Sequence, residues 1–135
     1  MKRPQVIVVE SDDRLASQLT GPIGEKHWRL RATRRAERCM KFLVQDRPTV
    51  VVVRLGEPPG AELGWLSRVA GRLPGVRTVA IGGAANAAVV AGVVWDLDID
   101  FALFPPLALD LLPEIVIGLM EVSEPIQQKR RELDV

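Results

Sequence analysis

A few residues in this chain are of the type that does chemistry. Arg54 closes a run of four valines, residues 50 to 53. A guanidinium at the end of a buried strand must find either water or a partner carboxylate. Gly82-Gly83 stands between two apolar segments, where backbone N–H groups can meet an anion or make a tight turn. The pair lacks the lysine and hydroxyl of a phosphate loop, so the turn is the preferred reading. Arg29, Arg31, Arg34, Arg35, Arg38 and Lys41 form a basic set that could meet nucleic acid or an acidic partner. Only Trp28 offers a ring for stacking there and it is expected in the core, so a solvated face is preferred. Cys39 and His27 are each the sole residue of their type, which excludes an internal disulfide and a Cys/His zinc set. No metal, cofactor or enzymatic step is expected, because no nucleophile stands with a base.

These residues need a scaffold, and 135 residues suffice for one domain that buries about two-thirds of its unfolded surface. The chain is 47% hydrophobic and 26% charged, with no apolar stretch of the roughly 20 residues that span a bilayer. The start, Met1-Lys2-Arg3-Pro4, leads into a run too brief for a signal peptide, so a cytoplasmic location is expected. A net charge of +1 gives no overall field toward nucleic acid.

Short apolar runs alternate with amphipathic segments, the pattern of a parallel sheet covered by helices on both faces. Strands are expected over 5–9, 27–33, 50–53, 77–81 and 99–103. Ser11-Asp12-Asp13 offers a helix N-cap with acid in the first turn, and Leu15, Leu19 and Ile23 a buried stripe; Gly21, Pro22 and Gly24 are expected to end this helix near Thr20. Further helices are expected over 34–45, 61–72, 84–94 and 107–122, the last tolerating Pro113 only in its first turn. Cys39 reads as a small buried hydrophobe, His27 as a turn residue, and Trp65 with Val69 as the covered face of the third helix. Residues 123–135 are a helix extension, a linker to a missing output domain, or a tail.

Five strands and about five helices in this order resemble the receiver domain of two-component response regulators, across residues 5 to 122. Val8-Val9-Glu10 matches the strand that leads to that family's acidic pair. Pro58 falls four residues after Arg54, and Phe101, Phe104 and Pro105 follow the pattern around the family's lysine. The resemblance implies a flavodoxin-like, CheY-like three-layer fold with strand order 2-1-3-4-5. It also implies a phosphorylation pocket at Glu10, Ser11, Asp12, Arg54, Gly82 and Phe104. There a working receiver holds magnesium on two acids and the phosphoacceptor aspartate, and contacts phosphoryl oxygens through a hydroxyl and a lysine. Of those chemistries Glu10 alone is retained in register. If Asp12 or Asp13 replaced the missing acid, Arg54 would still lie close to the ion. Like unit charges about 4 Å apart repel by roughly 4 kcal/mol at an effective dielectric near 20. The pocket is therefore read as degenerate, with Arg54 either an internal cation paired to Glu10 or Asp12, or the product of drift.

Residues 84 to 94 lack the polar side that a covering helix presents to water. In receivers this face makes dimer and partner contacts, so Ala88, Val89, Val90, Val93 and Trp95, with Phe101 on the next strand, are the candidate interface. The alternative is burial within the chain itself. The expected function is phosphorylation-independent signalling by binding a protein partner or a second copy as a homodimer. The rival is an anion- or small-ligand-binding switch on Arg54 and Gly82-Gly83, and behind it a nucleic-acid adaptor using the basic second helix.

Overall fold

The structure, a computed structural model, describes residues 3–39, 43, 47–56, 59–73, 75–83, 87, 97, 99–104 and 109–121. Five parallel strands form one sheet in the order β2-β1-β3-β4-β5. They are β1 (Gln5–Val9), β2 (Arg29–Thr33), β3 (Thr49–Arg54), β4 (Val76–Ile81) and β5 (Phe101–Leu103). The helices are α1 (Arg14–Glu25), α2 (Ala36–Cys39) and α3 (Gly60–Arg72), then a 3-10 turn (Leu109–Leu111) leading into a helix over 112–121.

The valine run shows why the central strand carries no alternation. Val51 and Val53 join Ile7, Val9 and Ala80 on one face, against Leu63, Leu66 and Val69 of α3. Val50 and Val52 join Val6, Val8 and Val79 on the other, against Leu15, Leu19 and Ile23 of α1 and Leu112, Val116 and Met120 of the last helix. A strand with apolar cover on both sides gains from an apolar residue at every position, and β-branched side chains suit the pleat. Pairing Val6 with Val50 and Val9 with Val53 brings the carboxyl ends of β1 and β3 level. Glu10 and Arg54 therefore leave the sheet side by side.

Several boundaries differ from the sequence reading. Helix α1 does not stop near Thr20 but runs to Glu25 with Pro22 inside it. Proline removes one helical N–H, yet Ile23 lies fully buried in the stripe begun by Leu15 and Leu19, and that burial carries the helix onward. Strand β2 begins at Arg29, because His27, with φ at 60°, makes the turn between α1 and the strand. Strand β5 is shorter than expected. The Asp100 carboxylate accepts the Thr78 N–H at 2.8 Å, so the ladder starts at the pair Val79 and Phe101. Pro113 is the second residue of the last helix, where its missing N–H costs nothing.

Most of the expected helix over 34–45, the expected helix over 84–94 and the segment 123–135 lie outside the described residues. So do Pro58, Pro105 and the side chain of Cys39, and with them Ala88, Val89, Val90, Val93 and Trp95 of the candidate interface. Phe101 is described, and it is exposed on the edge strand. Among the described residues no helix is long and apolar enough to cross a membrane.

Candidate functional site

Glu10 follows the last residue of β1 and is only 5% exposed. Its two carboxylate oxygens accept the N–H groups of Leu15 and Ala16 at 3.1 and 3.0 Å. These are among the first amides of α1, which have no partner within the helix. The expected cap was Ser11-Asp12-Asp13 with acid in the first turn. Instead Asp13 takes the N-cap position without a side-chain bond, the first turn holds no acid, and Glu10 reaches forward to do the capping. A carboxylate at this end also meets the positive pole of the helix. Each of its oxygens thus accepts one backbone N–H of α1.

That assignment has a measurable consequence. Glu10→Ala is expected to lower stability by about 1–2 kcal/mol, the range for losing a helix cap, while Glu10→Gln, which keeps one acceptor oxygen, loses less. Urea unfolding gives the magnitudes. Hydrogen exchange gives the place: the Leu15 and Ala16 amides should exchange faster in Glu10→Ala, and unchanged rates there would refute the cap.

Asp12, one turn outward, accepts the Arg14 N–H at 3.1 Å and lies 3.4 Å from a terminal nitrogen of Arg54. The Arg14 backbone N–H, and after it the charges of Arg54 and Arg14, hold the Asp12 carboxyl below its ordinary value against the opposing effect of burial. The same Arg54 nitrogen lies 3.5 Å from the second Asp12 oxygen. The contact is thus one nitrogen shared between two oxygens, longer than the two-point fork that makes arginine pairs strong. With Arg54 at 29% and Asp12 at 46% side-chain exposure, water competes for both partners. Arg54 therefore pairs with Asp12, loosely, and Glu10 turns to the helix.

The remaining pocket positions are used by the fold. The Gly82 N–H donates to the Leu103 carbonyl at 3.1 Å, and the Leu55 N–H to the Ile81 carbonyl at 2.7 Å. The Gly82 amide is thereby removed from any anion nest. Phe104 packs on the core cluster that holds Val53 and Leu66, so its site carries no charge toward the pocket. Ser11 and Asp13 are exposed.

Beside Arg54 opens a cleft of about 1020 Å³. Arg34, Arg35 and Arg38 stand on one side and Arg68 and Trp65 of α3 on the other, with Arg54 between them. The sequence reading assigned the first three arginines to a solvated face. They are indeed exposed, but they border this cleft and a smaller one of about 420 Å³ that they share with Glu10, Asp12 and Asp13. Arg68 and Glu62 were not anticipated, since nothing local marks a residue of α3 as facing the segment after β2. Glu62 accepts the Gly56 N–H at 3.0 Å and so ties the loop after β3 to α3. Among the described residues no cluster of three or more acids, histidines and cysteines is arranged to hold a metal ion.

No family model matches the chain, and no curated protein matches it. Solved structures do. An adenylate cyclase from Rhodopirellula baltica superposes with a TM-score of 0.78 at 11% identity, covering 98% of each chain. A response regulator from Thermotoga maritima gives 0.72 at 15% identity, over 89% of this chain and 99% of that one. The signal receiver domain of an HD domain-containing protein from Pseudomonas fluorescens Pf-5 gives 0.74 at 17% identity, over 95% and 94%. At such identities the likeness is one of fold, and the fold is the receiver fold: a five-stranded parallel sheet in the order 2-1-3-4-5 with helices on both faces.

Proposed function

We propose that this chain is a receiver-like signalling domain, spanning residues 1–122, that works without phosphorylation by binding protein. The observation that carries the reading is Arg54. A guanidinium ends the strand where a receiver's phosphoacceptor carboxylate would stand, and it leans on Asp12, an acid in the segment that would otherwise serve a metal. Glu10, committed to α1, and Phe104, packed on the core, support the same reading. No chemical step is assigned, because no nucleophile stands with a base among the described residues and Glu10 serves as the cap of α1. The similarity to a chain described as an adenylate cyclase is a similarity of fold, and no cyclisation is read from it. A cytoplasmic setting and an output domain elsewhere in the protein or on a partner fit this function.

The binding face proposed is the apolar segment 88–95 with Phe101, used by a second copy of the chain. Phe101, at 37% exposure, and Leu111, at 41%, are the exposed large hydrophobic residues described, and both follow that segment. An isologous dimer through it would bury on the order of 800 Å² on each partner. Val90→Glu and Val93→Glu should each raise the dimer dissociation constant in sedimentation without unfolding the monomer. A wild-type chain that stays monomeric at high concentration would refute self-association.

A second reading, an anion- or small-ligand-binding switch at the same sheet edge, is favoured by the arginine-lined cleft. It shifts the site away from Gly82-Gly83, since the Gly82 amide is bonded to Leu103.

A further inference from the structure

In the order β2-β1-β3-β4-β5 the chain leaves β1 toward one edge of the sheet and returns at β3 to build toward the other. The connections diverge at the carboxyl ends of those two strands, which is where open α/β sheets leave a crevice for ligands. The cleft of about 1020 Å³ lies there, with residues 9–11 and 54–56 along its floor. It is at the upper end of the size range of small-molecule sites.

Among the described residues its lining is one-sided in charge: five guanidinium groups, those of Arg34, Arg35, Arg38, Arg54 and Arg68, and the two carboxylates of Glu10 and Glu62. Each Glu10 oxygen accepts an α1 amide and one Glu62 oxygen accepts the Gly56 amide, so both acids also serve the backbone. Among the described residues Arg34, Arg35, Arg38 and Arg68 form no ion pair. A second, independent feature points the same way. The indole N–H of Trp65, on a residue 6% exposed, has no acceptor among the described residues, although Trp65 lines the cleft. An orphaned buried donor is costly, and a bound acceptor would remove that cost.

We infer that this cleft binds a small, multiply charged phosphate ester of nucleoside di- or triphosphate size. The arginines would hold its phosphate oxygens and Trp65 would donate to it. Planar, weakly hydrated guanidinium forks suit phosphate better than lysines would, and among the described residues every basic one lining the cleft is an arginine. A concave cleft of this volume suits a compact ligand better than an extended polyanion. The inference rests on the ligand-switch reading and names its ligand class. A ligand spanning the segment at 34–38 and α3 would brace the two against each other, which is how occupancy could be passed to a binding face.

The experiment uses ATP, inorganic pyrophosphate and citrate as probes of the full chain, by calorimetry and by the Trp65 indole resonance assigned through Trp65→Phe. ATP and pyrophosphate are expected to bind saturably at one site and shift the Trp65 resonance. Arg38→Ala with Arg68→Ala, both exposed, should weaken binding about tenfold or more. Arg3→Ala with Lys26→Ala, which removes the same charge outside the cleft, should leave affinity within about twofold. Citrate binding without ATP or pyrophosphate binding would overturn the phosphate ligand and leave an anion switch standing. Binding of none of the three would overturn both. So would equal losses in the two double variants, since the attraction would then be diffuse.

Discussion

Incubated with acetyl phosphate and excess magnesium, the chain should gain no phosphoryl group, and beryllofluoride should produce no saturable change in its amide spectrum. A guanidinium is no nucleophile toward phosphorus and cannot shed its charge near neutral pH. The metal that would neutralise an incoming phosphoryl group needs several carboxylate oxygens. Each Glu10 oxygen already accepts an α1 N–H, and Asp12 shares its pair with Arg54 and the Arg14 amide. Arg34, Arg35 and Arg38 border the small cleft that contains these acids and would repel a divalent cation there. Arg54→Asp alone should not restore modification, because Phe104 packs on the core and supplies no lysine after β5 to meet the phosphoryl oxygens. Mass spectrometry reads the first outcome and magnesium titration by NMR the second. Saturable magnesium binding beside Glu10 together with uptake of the phosphoryl analogue would overturn the phosphorylation-independent reading.

Leu19→Ala should destabilise the domain by about 2–5 kcal/mol, the range for truncating a fully buried leucine. Leu19 has no exposed surface and sits mid-way along the α1 stripe, against the face of the sheet that carries Val6, Val8, Val50 and Val52. The surrounding strands are held by ladder bonds on both sides and cannot move in to fill the space. Gln18→Ala, one residue away and exposed, should change stability by less than about 0.5 kcal/mol. The denaturant midpoint should fall in Leu19→Ala with an unchanged slope. Equal effects at the two positions would mean that α1 does not pack as described.

The periodicities in the sequence were sufficient for the alternation of strands and helices, while the strand order came from the resemblance to receivers. A four-valine run suits a strand covered on both faces, and Leu15, Leu19 and Ile23 after a helix-capping segment suit one side of a helix. Those local rules place Arg54 at a carboxyl strand end and Glu10 at another. Where a boundary differs from the local signal, long-range packing outweighs it. Ile23 drew α1 past Pro22, and the Asp100 carboxylate, by taking the Thr78 N–H, delayed the start of β5.

The character of the site divides along the same line. The sequence alone shows an arginine after the valine run and a phenylalanine after the last strand, and the resemblance to receivers implies that these stand where that family carries a carboxylate and a lysine. Only the tertiary structure decided which acid meets Arg54, since Glu10 and Asp12 are both close in sequence. The positive end of α1 competes for Glu10 and wins it with two backbone N–H groups. Only the tertiary structure, likewise, brought Arg68 and Trp65 opposite Arg34, Arg35 and Arg38. Residues some thirty positions apart share a cleft because β1 and β3 are neighbours in the sheet, and the order in which strands associate is a property of the folded chain that no local spacing records.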